Sequence, residues 1–110
     1  MKFFCTELER KGTCYHEFQK GKWDGKAFWK TDSLLLHDDI MCEVKLHKLF
    51  REVDSEYDDY GETEIDKEKW YKIFHIANAI GGDVKIAIDE ANIWAEEVFK
   101  TEEMFTILGL

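Results

Sequence analysis

Near residue 38 the spacing of the apolar side chains changes, and that change decides the class of fold open to this chain. Upstream, side chains alternate: Phe4, Thr6 and Leu8 oppose Phe3, Cys5 and Glu7, and Cys14, His16 and Phe18 oppose Tyr15 and Glu17. Successive side chains of an extended strand point to opposite faces, so a period of two predicts strands. Gly12 suits a tight turn between them, Asp24-Gly25 is a hairpin signal, and Lys26–Lys30 and Ser33–Leu36 read as further extended segments of an antiparallel meander. Downstream, Cys42, Leu46, Leu49, Phe50 and Val53 fall on one helical face, with Asp38 and Asp39 in the first turn, where the helix dipole favours carboxylates. Asp66 is an N-cap for a second helix with the stripe Trp70, Ile73, Phe74, Ala77 and Ile80, ended by Gly81-Gly82. Asp83 caps a third, with Ala87, Ala91, Trp94, Ala95 and Val98 inward. Met104–Leu108 is extended and apolar again, which suits a last strand. The expected fold is α+β: a small antiparallel sheet from the N-terminal third plus a C-terminal strand, covered on one face by three helices. Trp23 and Trp29 are expected in the core.

With 110 residues and 45% hydrophobic content, one core and one domain (1–110) are expected. No proline and only seven glycines are present, so no flexible linker divides the chain. No apolar run approaches the ~20 residues that cross a bilayer. The opening MKFFCTELERKG carries charge where a signal peptide needs an apolar stretch, so a cytoplasmic protein is expected. Three cysteines, Cys5, Cys14 and Cys42, are an odd number and read as reduced thiols. Cys14-Tyr15-His16 has no second Cys/His cluster at a zinc spacing, and neither metal nor cofactor is expected.

The net charge of −9 is unevenly spread. Residues 1–30 carry seven basic and four acidic side chains, whereas residues 38–68 carry twelve acidic and four basic. An acidic central segment repels nucleic acid and anionic lipid and attracts basic surfaces, so neither direct nucleic-acid binding nor membrane binding is expected.

The densest part is YDDYGETEID, residues 57–66, which reads as a connection between helices. It fails as an EF-hand loop. With Ile65 at the apolar eighth position, Asp58 stands first but Tyr60 third, Thr63 sixth and Lys69 twelfth; starting at Asp54 puts Asp59 where glycine belongs. Enzyme motifs are missing too: no nucleophile elbow, phosphate loop, zinc-protease helix or dinucleotide fingerprint occurs. His37 and His47 are candidate bases, and Glu7, Glu9 and Glu17 candidate paired acids, but nothing in the sequence sets their separations. The reading that remains is recognition, with Asp54, Glu56, Tyr57, Asp58, Asp59, Tyr60, Glu62 and Glu64 as the partner-binding set. Carboxylates steer a basic partner, and tyrosine offers rigid contact area with a hydroxyl.

The stretches GKWDGKAFWKTDSLLLHDD (21–39) and YDDYGETEID (57–66), Trp70, and the ending from WAEEVF to MFTILGL (94–110) resemble small bacterial immunity proteins encoded beside polymorphic toxins, including those of contact-dependent growth inhibition. The resemblance implies a small cytosolic protein that neutralises a cognate toxin, typically a nuclease, by binding it; it carries over no residue role. The acidic central segment points the same way, because a nuclease presents a cationic cleft for phosphates. The expected function is therefore an acidic, antitoxin-like inhibitor of a basic toxin domain, and not an enzyme. The alternatives are a phage-type acidic nucleic-acid mimic that inhibits a host enzyme, and a small hydrolase with an acidic site.

Overall fold

The computed structural model describes residues 1–110. Five strands, β1 (Phe4–Thr6), β2 (Tyr15–Lys20), β3 (Leu34–His37), β4 (Glu62–Asp66) and β5 (Met104–Leu108), form one sheet in the order β1-β3-β2-β5-β4, every neighbour antiparallel. Four helices, α1 (Asp38–Val44), α2 (Leu46–Val53), α3 (Lys67–Ile80) and α4 (Gly82–Val98), complete the α+β fold. No helix is long and apolar enough to cross a membrane.

Register explains the core. Thr6, Leu34, Phe18, Ile107 and Thr63 form one row across all five strands, and Phe105 and Ile65 pair in a neighbouring row. Phe4, Phe18, Leu34, Leu36, Ile65, Phe105 and Ile107 join the interior cluster with the buried faces of the helices. Phe105 is its hub, with ring centroids of Phe18, Trp70, Trp94 and Phe99 at 5.7, 5.5, 5.3 and 5.8 Å.

The helices follow most of their predicted stripes, with corrections in each. The first is broken at Lys45, which takes the left-handed conformation (φ 65°, ψ 35°). Met41 and Leu46 are both buried, yet five residues of continuous helix would set them about 140° apart; the break lets both turn inward. Cys42, expected on the buried face, is exposed, with its thiol 4.0 Å from an Asp38 carboxylate oxygen. In α3, Asp66 caps as expected by accepting the Lys69 N–H at 2.8 Å, and Trp70, Ile73 and Ala77 are buried, but Ile80 is 58% exposed. Gly81 ends α3 and is itself the N-cap of α4, with φ values of 74° and 56° at Gly81 and Gly82. Asp83 lies inside the first turn of α4 and does not cap it. Trp94 is half-buried, its indole N–H donating to the Asp32 carbonyl at 2.9 Å.

The N-terminal third differs more. β1 stops at Thr6, and Glu7–Glu9 form a 3-10 turn that leaves Leu8 88% exposed. Residues 26–30 form no strand, and Asp24-Gly25 makes no hairpin between paired strands. The segment 21–33 instead crosses the sheet face opposite the helices, where Tyr15, Glu17, Gln19, Leu35, Thr106 and Leu108 are buried. Glu17 holds it there: one carboxylate oxygen accepts the Trp29 N–H at 2.8 Å, and the other accepts Lys30 N–H at 2.9 Å and the Ser33 hydroxyl at 2.6 Å. Trp29 sits at φ 61°, uncommon for a bulky residue, with the Arg10 guanidinium 4.2 Å from its ring centroid. Trp23 and Trp29 are thus half-buried covers of the second sheet face, not members of the main core.

Candidate partner-binding face

The stretch 54–66 is not a simple helix-to-helix connection, because its second half is strand β4 on the edge of the sheet. Glu62, Thr63, Glu64, Ile65 and Asp66 pair with Leu108, Ile107, Thr106, Phe105 and Met104. The alternation is clean: Thr63 and Ile65 face the interior, while Glu62, Glu64 and Asp66 are exposed.

The first half is a tightly bonded loop. Asp54 ends α2 with its N–H on the Phe50 carbonyl, and its carboxylate accepts the Glu56 N–H at 3.0 Å and the Lys69 ammonium at 2.8 Å. The Lys69 hydrogen bond holds the Asp54 carboxyl below the usual aspartate range and raises Lys69 in turn. Tyr57 is 4% exposed and packs on Phe50 with centroids 5.5 Å apart; burial pushes its phenol far above the ordinary value, with the Asp59 carboxylate adding to the shift. Tyr57 is therefore a core residue, which corrects its assignment as a surface anchor. The signal was present in its spacing, since Phe50, Val53 and Tyr57 continue the α2 stripe.

Asp58 folds back on its own loop, accepting the Tyr60 N–H at 2.9 Å, and Asp59 accepts the Arg51 guanidinium at 2.9 Å. The loop is also sewn to the end of the chain: Gly109 N–H donates to the Gly61 carbonyl at 2.7 Å and Leu110 N–H to the Asp59 carbonyl at 2.9 Å. A side chain at Gly109 would collide with the Asp59 carbonyl. Gly109→Ala is expected to push the 58–61 loop off β5 at a cost of about 1–3 kcal/mol, because overpacking against backbone has no flexible atom to yield. Thermal melts and amide exchange at Gly61 and Leu110 check this; wild-type exchange at both sites would refute it.

Of the eight predicted residues, Glu56, Tyr60, Glu62 and Glu64 are exposed and make no side-chain bond, and Tyr60 is 77% exposed. Asp54 and Asp59 are ion-paired, Asp58 is exposed but occupied by its turn, and Tyr57 is interior. The sequence missed Lys69 and Lys22, which with Asp54, Glu56, Glu62, Thr63 and Glu64 line an open polar groove of about 390 Å³ beside β4.

The candidate catalytic groups are engaged otherwise. His37 Nδ1 accepts the Asp39 N–H as the N-cap of α1, and His47 Nδ1 lies 3.2 Å from the Met41 carbonyl. Glu9 accepts both the N–H and the hydroxyl of Thr6, and Glu17 is consumed by the 21–33 segment. The densest remaining cluster is fully buried His16, its Nε2 2.8 Å from Asp38, with the Cys42 thiol beside that carboxylate. A nucleophilic thiol needs a lowered pKa; that of Cys42 is raised, by desolvation first and then by the carboxylates of Asp38, Asp59 and Asp39. Comparison of the chain with protein-family models, characterised proteins and solved structures finds no match.

Proposed function

We propose that this protein is an acidic inhibitor of the immunity type, which neutralises a basic toxin domain, of the nuclease kind, by direct contact. The observation that carries this reading is the set Glu56, Tyr60, Glu62 and Glu64: three uncommitted carboxylates and one exposed tyrosine on a sheet-edge strand and the loop that leads into it, within the most acidic part of the chain. Unpaired carboxylates raise the encounter rate with a cationic cleft, and an aromatic side chain supplies contact area at low entropic cost. The rest of the acidic segment supports the presentation of that edge: Asp54, Asp59 and Asp66 are spent on Lys69, on Arg51 and on the α3 cap, which fixes the loop and strand.

The test is protection of cells made to express a basic nuclease toxin domain, taken from a reading frame beside this one if such a frame encodes it. The variant Glu56→Gln/Glu62→Gln/Glu64→Gln should retain the fold, since none of the three makes a side-chain bond, and should slow association and flatten its salt dependence. Adding Tyr60→Ala should speed dissociation and abolish protection. Undiminished protection by the fourfold variant would move the interface elsewhere. Capture of a host polymerase or nuclease by the wild type and not by this variant would favour the nucleic-acid mimic instead.

A further inference from the structure

The sheet has two edges, and they are treated differently. β1 is three residues long, and the Glu90 carboxylate from α4 accepts the N–H groups of Lys2, Phe3 and Phe4 along it. β4 is five residues long and pairs with β5 alone. The direction of its main-chain groups follows from register. Gly109 N–H bonds the Gly61 carbonyl, and hydrogen-bonded pairs alternate along an antiparallel ladder, so Thr63 and Ile65 spend their main-chain groups on Ile107 and Phe105. The N–H and C=O groups of Glu62 and Glu64 therefore point outward, away from the sheet. The polar groove lined by Asp54, Glu56, Lys69 and Lys22 runs beside this edge.

We infer that the open edge of β4 is a strand-docking site that takes an extended segment of the basic partner, with Lys or Arg at every second position, as a sixth strand. This rests on the acidic-inhibitor reading above and specifies its mode of contact. An incoming strand would complete the main-chain hydrogen bonds at Glu62 and Glu64, which supplies affinity without sequence demand. Its residues opposite Glu62 and Glu64 project on the same face as those carboxylates, close enough for cross-strand pairing, so charge sets both register and partner. Carboxylates also keep two copies of β4 from pairing with each other, because like charges directly opposite are destabilising. The edge is thus closed to self-association and open to a cationic strand.

The test uses the full chain, isotopically labelled, and a synthetic peptide of alternating Lys and Val, alongside the same peptide N-methylated on alternate amides. Binding of the first should slow amide exchange at Glu62 and Glu64, fade with added salt, and be lost with the methylated peptide. Two variants separate main chain from charge. Glu64→Pro removes one outward N–H while sparing the bonds to β5, a position where an edge strand tolerates proline; Glu64→Gln keeps that N–H and removes only the charge. The proline variant should bind the peptide about tenfold more weakly than the glutamine variant, the effect of one main-chain hydrogen bond. Equal binding of these two variants, equal binding of the two peptides, or no protection of Glu62 and Glu64 at millimolar peptide would overturn strand addition. If the proline variant loses the β4–β5 ladder, the peptide pair on the wild-type chain decides. Overturning this mode leaves the inhibitor reading intact, since strand addition fails on the peptide and proline results alone, whereas the inhibitor reading falls if the wild-type chain gives no protection against the toxin.

Discussion

Phe105→Ala should lower the unfolding free energy by about 3–5 kcal/mol, the range for truncating a buried aromatic side chain. Phe105 is fully buried and touches Phe18, Trp70, Trp94 and Phe99, which come from β2, α3, α4 and the turn after α4. These rings are anchored in different elements and cannot all move into the void, so the cavity stays open. The melting temperature should fall by roughly 10 °C or more. Phe105→Leu, which keeps most of the volume, should cost less than about half as much, and Phe28→Ala, at an exposed position, should cost little. A wild-type melting temperature for Phe105→Ala would mean that the aromatic hub is not the centre of the core.

Glu17→Ala should have the second largest effect, roughly 2–4 kcal/mol, by a different route. It strands the Trp29 and Lys30 N–H groups and the Ser33 hydroxyl, three donors that the buried carboxylate now satisfies. The left-handed conformation of Trp29 would lose the contact that holds it. The 21–33 segment should then lift before the sheet unfolds, uncovering Leu35 and Leu108. Limited proteolysis within 21–33 and a red shift of tryptophan emission, both preceding global melting, are the expected signs. Simultaneous loss of all structure, with no early cleavage, would show that the segment unfolds together with the core. Glu17→Gln should fall between the two, because one amide oxygen can still accept while the NH₂ group faces a donor.

The elements legible in the sequence are those whose partners lie close along the chain. The stripes of α3 and α4 announce themselves, and the Asp66 cap and the Gly81-Gly82 break lie within one turn of the helices they bound. β2 and β5 carry enough apolar residues to be read as strands, and joining β5 to the N-terminal sheet needed only a place to bury it. The acidic character of the 54–66 stretch was equally legible, and so was the charge asymmetry between the chain's first third and its middle.

What only the tertiary structure decided concerns residues whose state depends on something distant. ETEID carries just one strongly apolar residue, so its strand exists because β5, some forty positions later, offers a pairing edge. That pairing turns part of an apparent loop into the sheet edge on which Glu62 and Glu64 stand. Tyr57 went inward because α2 places Phe50 beneath it, and Asp54 and Asp59 lost their freedom to Lys69 and Arg51. Lys26–Lys30 reads as an extended segment beyond the Asp24-Gly25 turn signal, yet it pairs with no strand. Its course is set by a buried carboxylate on β2 that accepts main-chain N–H groups at Trp29 and Lys30. Side-chain periodicity records which faces are apolar, and that is a local property of the chain. Which carboxylate remains unpaired is decided by where the cations and N–H groups of other elements arrive, and that is a property of the folded molecule alone.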